Sequence, residues 1–552
     1  FCSATMANYS VSRILVTLFV LFAVASCTHN FNAYRLYQLD KGGELLGSQR
    51  AAVNVLASTT SKSGTLSRSV VLIPHQEVQL DQLVTILQDR KADGVIILLP
   101  PRNTFDSSFL EHWKQLEQDL LGRSFAIPVY FAFEDEVGYI YDDVQTMSVR
   151  SNNPVAFWQF PFLENYRLYA SLPEPQPVKD VTVTNFKGYL QGSGGHYEKE
   201  GQVRPTLAVV AHYDSFGVIP ELSSQDIHSA GAAVAVLELA RLFSKLYANP
   251  RTQGTYNLLF LLTGGGHHNY AGTKHLLTQM DTHALDSIEF ALCLDDIASA
   301  KDGEWFIHVS RPPKEEKVKS FFETLNATSH GNLHLVHKKI NISQADIDWE
   351  HEIFSRKKVI AGTLSVKPAP EAGLAKAASF DEKVETAALI NKIKTIAETI
   401  ARHIYGLQGK DIEIFRESLA VNSDFVQSWL NALTQHNRVQ SFVQKDKPLL
   451  QGLYRALEDY TEASNETFSL VVESAELEAD SELRPTTSYV VYDGLTTSVT
   501  AYRVKPVSFD VLFALVNAVY LALLYIIIKG PQETIQQVQK LFSSGDSKKK
   551  KI

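Results

Sequence analysis

The run Leu207-Ala-Val-Val-Ala-His212-Tyr-Asp214-Ser-Phe-Gly217 carries five apolar residues into a histidine and a carboxylate. Five apolar residues in a row with no polar alternation read as a strand buried on both faces. Downstream, residues 230–247 read as a helix whose buried stripe is Val236, Leu239, Ala240, Phe243 and Leu246, with Glu238, Arg241 and Lys245 sharing another face. Further apolar runs at 258–262, 290–294 and 306–309 read as strands, and 383–405 as a long amphipathic helix. Strands separated by helices predict an α/β unit over 181–405, a mixed sheet covered on both faces.

Ligands of open α/β sheets bind at the carboxyl ends of the strands. Several polar groups of this chain fall there: His212 and Asp214 after the first strand, Asp226 before the helix, Gly264-Gly-Gly266-His267-His268 after the second strand, and Asp295-Asp296 after the third. Histidine and carboxylate ligands with a second carboxylate to orient the histidine suit zinc. A buried, hydrogen-bonded His212–Asp214 pair is the structural alternative, and a single residual metal site through His212, Asp226, Asp295 or His267 is another.

Outward from this unit, residues 28–180 read as a small N-terminal α/β lobe. Its strands are placed at 69–73, 94–99 and 128–133, its helices at 80–87 and 109–121. Glu134-Asp-Glu136 reads as a charged strand-to-helix turn rather than a cation site. Residues 406–506 turn helical and polar, with helices at 424–435 and 449–461, an acidic loop-like stretch at 471–486, and a short strand or extended lead at 489–492.

The two ends suggest a membrane protein. Residues 1–27, with Met6 as the candidate start, combine Arg13, a short apolar stretch and small residues, the pattern of a secretory signal peptide. Residues 507–528 are long enough to span a bilayer, and from 511 onward only Asn517 is strongly polar. The tail at 529–552 carries Lys529, Lys540 and Lys548–Lys551, and that basic excess puts it in the cytosol, a type I topology. Asn326, Asn341 and Asn465 head sequons that would then face the lumen. The 552 residues hold 3 cysteines, so hydrophobic burial rather than disulfides must stabilise the fold. A net charge of −9 gives no indication of nucleic-acid binding.

The order of polar elements resembles the M28 family of co-catalytic zinc aminopeptidases. His212-x-Asp214 matches the family's first motif, Asp226-Ile-His-Ser-Ala-Gly231 its second with one residue inserted, and Asp295 its third. The family's paired glutamates precede a segment matched here by Asn269-Tyr-Ala-Gly272-Thr273, which puts Gly266 and His267 in their place. The late histidine is absent: Ile360-Ala-Gly-Thr-Leu-Ser365 leads into Val366-Lys-Pro-Ala-Pro370. Glycine offers no side chain to serve as general base, and a lysine repels a cation. The resemblance therefore implies a pseudoenzyme with no catalytic residue, no metal cofactor and only remnants of ligation in His212, Asp226 and Asp295.

A narrower resemblance is to the nicalin branch of the nicastrin-like family, carried by Ala211-His-Tyr-Asp-Ser-Phe-Gly217, Leu237-Glu-Leu-Ala-Arg-Leu-Phe-Ser244, Trp349-Glu-His-Glu352 and Ala501-Tyr-Arg-Val-Lys-Pro506. It implies a non-catalytic type I subunit of an endoplasmic reticulum membrane complex, with Nodal modulator and a small multipass protein as partners. That complex serves the translocon and ribosome-associated machinery that inserts multipass proteins, with a link to Nodal signalling. Lys549 and Lys550, fourth and third from the end, resemble a dilysine retrieval signal. An active metal-dependent aminopeptidase with rearranged ligands and a lumenal peptide-binding receptor are the competing expectations.

Overall fold

Stretches that are apolar throughout form strands buried along their whole length: Leu207–Ala211, Leu258–Leu262 and Val95–Leu99 are all shielded from solvent. The computed structural model describes residues 28–60, 66–88, 91–102, 104–152, 165–193, 203–223, 226–298, 304–341, 344–370, 379–380, 386–407, 412–440, 447–470, 489–505 and 507–530. The expected signal peptide, the acidic stretch at 471–486 and the tail lysines Lys549 and Lys550 lie outside the described residues.

The first part of the chain runs through β1 (Thr28–Arg35), β2 (Leu39–Lys41), β3 (Glu44–Ser48), β4 (Val53–Thr59), β5 (Ser69–Pro74), α1 (Leu80–Gln88), β6 (Gly94–Leu99), α2 (Ser107–Leu121), β7 (Ser124–Phe125), β8 (Val129–Phe133), α3 (Glu134–Asn152) and β9 (Asn165–Ala170). The second part holds β10 (Thr182–Leu190), β11 (Thr206–His212), α4 (Ile227–Tyr247), β12 (Asn257–Thr263), α5 (Ala271–Gln279), α6 (Thr282–Ser287), β13 (Ile288–Leu294), β14 (Trp305–Val309), α7 (Glu316–Thr328), β15 (Leu333–His337), α8 (His351–Arg356), β16 (Ala361–Ser365) and α9 (Thr386–Tyr405). The last part adds α10 (Ser423–Gln435), α11 (Pro448–Glu458), β17 (Glu462–Ser469), β18 (Tyr489–Val491), β19 (Thr496–Val504) and α12 (Val507–Lys529).

The main sheet has the strand order β15-β14-β16-β13-β11-β12-β10-β17. β12, β11, β13 and β16 run parallel to one another, so their carboxyl ends lie along one edge. β10 pairs antiparallel with both β12 and β17, and β14 antiparallel with β16, which makes the sheet mixed. Helix α4 lies in the core below it with nearly every residue buried. Glu238 and Arg241, which share a face apart from the apolar stripe, are buried too. They pair through two hydrogen bonds of 2.6 and 2.7 Å. The 420–435 segment covers them, Glu238 accepting from the Asn422 amide at 2.7 Å. Lys245 alone of the three lies partly open to solvent.

The N-terminal unit is more closed than the expected lobe. Its strands form a barrel in the order β1-β19-β9-β4-β5-β6-β8, closed because β1 pairs with both β19 and β8. Val137, Ile140 and Val144 of α3 pack with Phe31, Leu72 and Leu98 in a core of their own. The closing strand comes from the far end of the sequence, and the stretch 406–506 is shared out accordingly. α10 and α11 pack on the core of the main sheet, β17 extends that sheet, β18 pairs with β2, and β19 completes the barrel. The fully buried Arg35 fastens the join by donating to the carbonyls of Gly494 (2.7 Å) and Asp493 (2.6 Å).

Among the described residues, two helices are long and apolar enough to cross a membrane. One is α4, which is 83% buried; the other, Ser508–Ile528 within α12, is 0% buried. A helix that is apolar all round and outside the core is a candidate membrane span, whereas α4 is a core helix.

Candidate functional site

The parallel strands deliver the expected polar residues to one place. His212 ends β11, the Gly264–His268 turn follows β12, Asp295 and Asp296 follow β13, and Lys367 follows β16. His212, Asp226, His228, Ser229, His267, Asp295, Trp349 and Lys367 line a cavity of about 20 Å³. His212, Asp226 and Asp295 thus meet as the sequence suggests. Among the described residues, no group of three or more His, Cys, Asp or Glu side chains is arranged to hold a metal ion.

Gly266 shows why. A Cβ placed on it would lie 2.4 Å from both Cγ and Cδ2 of His212 and 2.7 Å from its Cβ. The imidazole of His212 therefore occupies the space a side chain at 266 would need. The turn is fixed by Asp214, whose Oδ1 accepts the Gly266 N–H at 2.9 Å. Both His212 and Asp214 are buried, and the Asp214 carboxylate serves the backbone amide of the glycine turn, which must find an acceptor once buried.

Asp226 is the N-cap of α4. It accepts from the Ser229 amide at 3.4 Å and from the Ser229 hydroxyl at 2.7 Å. Behind it lies Arg438, completely buried. Its guanidinium donates to the Tyr213 carbonyl at 2.6 Å, to the Ser229 hydroxyl at 2.8 Å, to the Leu433 carbonyl at 2.9 Å and to the Asp226 carbonyl. His267 Nε2 stands 3.5 Å from Asp226 Oδ2. Burial by itself would raise the Asp226 pKa; the contacts with His267 and Arg438 outweigh it and hold the carboxyl well below the usual range.

The third carboxylate site follows the same logic. Asp296, buried and in the left-handed region at φ 44°, binds His228 Nδ1 and stands 3.4 Å from Lys367 Nζ. Burial opposes its ionisation, but the charges of His228 and Lys367 prevail and keep its carboxyl well below the ordinary range. Lys367 thus lies where the sequence lacks a histidine, already paired with an acid. His268 is buried against Phe216 and Tyr489, and burial pushes its pKa down to about 4.

The sequence pointed to His212, Asp226, Asp295 and Gly266 but not to Arg438. A lone arginine after α10 carries no motif, and only the fold brings it beneath Asp226. The sequon asparagines Asn326, Asn341 and Asn465 are all exposed, on α7, in a loop and on the edge strand β17.

The architecture defines a nicastrin-like chain. The nicastrin large-lobe family profile matches residues 205–346. The crystal structure of the gamma-secretase component nicastrin superposes with a TM-score of 0.57 at 11% identity, covering 86% of this chain and 99% of that one. At that identity the likeness concerns the fold alone. Sequence relatives narrow the class. BOS complex subunit ncln of Danio rerio is 34% identical, over 95% of this chain and 94% of its own length, and BOS complex subunit NCLN of Homo sapiens is 32% identical, over 94% and 92%. Nicalin of Caenorhabditis elegans is 26% identical over 92% of the chain. The chain belongs to the nicalin (NCLN) family.

Proposed function

We propose that this protein is a non-catalytic, membrane-anchored subunit of a BOS complex. Its lumenal mass is a peptidase-like scaffold whose chemistry has been dismantled. The observation that carries the non-catalytic reading is the contact at Gly266. An M28 enzyme needs a carboxylate there as base, and here the His212 ring fills that space. The fit to zinc fails on charge as well. Two carboxylates at or beside the cavity already stand among cationic groups, Asp226 with His267 and Arg438 and Asp296 with His228 and Lys367. A divalent ion would have to displace those partners and sit beside two fixed positive charges. No hydrolytic step is therefore assigned to this chain.

The complex reading rests on relatives named as BOS complex subunits along nearly the whole chain. The finer picture is the one the resemblance implies. The chain sits as a type I protein in the endoplasmic reticulum membrane, with α12 as its span. Its partners are Nodal modulator and a small multipass subunit, at the translocon and its ribosome-associated machinery, where it assists insertion of multipass proteins and touches Nodal signalling. The exposed sequon asparagines Asn326, Asn341 and Asn465 suit a lumenal face, and Lys549 and Lys550 suit retrieval from a cytosolic tail.

Co-purification tests this. Extracted from microsomes in mild detergent, the chain is expected to migrate with stoichiometric partners identified by mass spectrometry. Migration as a lone chain would sink the scaffold reading.

A further inference from the structure

The join between barrel and membrane helix is unusually direct. β19 keeps its pairing to its last residue: Val504 lies opposite Asn165 of β9, and Tyr502 opposite Thr28 of β1. Helix α12 starts at Val507. Three residue steps span at most about 10 Å of extended chain. The join is not fully free either, because Lys505 Nζ lies 4.2 Å from the centroid of the Phe509 ring in the first turn of α12. Past that point the helix does not fold back on the protein, since its apolar stretch is 0% buried.

The register shows what lies at this end of the barrel. Tyr502 pairs with Arg167 on β9, and Arg167 with Leu56 on β4, so the three form one rung across the sheet. All three project outward, with Tyr502 and Leu56 each 39% exposed. The outward positions of these strands are Asn54 and Leu56, Asn165, Arg167 and Tyr169, and Ser498, Thr500 and Tyr502, with no carboxylate among them. The whole chain, by contrast, carries 61 acidic residues and a net charge of −9. Tyrosines concentrate at the membrane interface, where the ring is in the apolar boundary and the hydroxyl in water. An arginine lays its aliphatic stem on apolar surface; the Arg167 guanidinium donates to Asn54, through Nε to Oδ1 at 2.8 Å and through Nη2 to the carbonyl at 3.4 Å.

We propose that this end of the barrel is seated on the bilayer, with Tyr502, Arg167 and Leu56 as an outward rung beside the lipid and Tyr502 in the phospholipid headgroup layer. The barrel is then not a domain swinging on a tether. It is held at a fixed height by a strand that becomes the membrane helix almost without a linker. The occupant of the rung is the zwitterionic headgroup layer. The proposal rests on α12 being a membrane span, which the test reads separately.

The test places an environment-sensitive fluorophore on single cysteines, Tyr502→Cys, Thr500→Cys, Ser498→Cys and, within α12, Leu515→Cys. The full chain, with Cys2 and Cys27 replaced by serine, is reconstituted in phosphatidylcholine nanodiscs containing doxyl-labelled lipid; the native Cys293 is buried and does not label. Residue 515 reports whether α12 is embedded and is expected to be strongly quenched. Quenching at 502 is expected to exceed that at 498 at least about twofold, since four strand residues rise roughly 13 Å. A quenched 515 with no gradient from 502 to 498 overturns the seat and leaves the rung for a protein partner. An unquenched 515 overturns the span itself.

Discussion

At the carboxyl ends of β11, β12 and β13 the polar side chains His212, Asp214, His267, His268 and Asp296 are buried, whereas Arg102 and Glu136 at the ends of β6 and β8 stand nearer the surface. On the barrel, Glu136 at the start of α3 binds Arg102, which follows β6, and accepts from the Asn32 amide at 2.8 Å. The Arg102 side chain is 45% exposed. On the main sheet, Arg438 donates to the backbone carbonyl of Asp226 in complete burial, and its charge acts on the Asp226 carboxylate from there. The residue types are similar, yet the two sites differ in what water can do. At the barrel, solvent can replace either partner. At the main-sheet cavity, Asp226 and Asp296 are buried and depend on His267, Arg438, His228 and Lys367 for their charge.

That contrast can be broken most forcefully at Arg438. Arg438→Met should remove about 3–5 kcal/mol of stability, because Asp226 loses its cationic partner and the carbonyls of Tyr213 and Leu433 lose a donor. Chemical denaturation of the purified protein measures this; a loss under about 1 kcal/mol would show that the buried guanidinium is dispensable.

A pH effect comes next. His268 is held down to about 4 in the folded state, against about 6.5 when unfolded. Its folded pKa is depressed, so its contribution is complete above pH 6.5 and lost as pH falls through 4, about 3 kcal/mol in all. Asp226 and Asp296, also depressed, lose theirs only below about pH 4. Melting curves across this range should show both windows, and His268→Phe should flatten the upper one while sparing the lower. A slope unchanged by that substitution would move the effect to another group.

Gly266→Ala sharpens the steric side of the comparison. The new methyl meets the His212 ring, and overpacking of this kind costs roughly 1–3 kcal/mol. The variant should melt several degrees lower with its fold intact. An unchanged melting temperature would mean that His212 moves aside freely and that the space is not truly filled. The smallest effect belongs to the exposed pair: Arg102→Ala should cost under about 1 kcal/mol, and that loss should shrink further in high salt.

The sequence made the main sheet legible because its strands are apolar throughout and its helix periods are clean. It also placed His212, Asp226 and Asp295 at one edge and marked Gly266 as the missing base. Barrel closure was not legible. β19 pairs with β1 from the opposite end of the chain, and its Thr-rich sequence buries only Val499 and Ala501. The burial of Glu238 and Arg241 was hidden for a related reason: helical periodicity shows that they share a face, but not that α10 and the segment before it cover that face. Arg438 was invisible for the same cause, since local pattern carries no information on which distant carboxylate an arginine will meet.

Metal content measured together with peptidase activity tests the emptied site most directly. The purified full-length chain, incubated with zinc and then desalted, should retain well under one zinc per molecule and release no amino acid from aminoacyl substrates. Stoichiometric zinc accompanied by hydrolysis that Asp226→Ala abolishes would contradict it, and would return His212, Asp226 and Asp295 to the role of ligands.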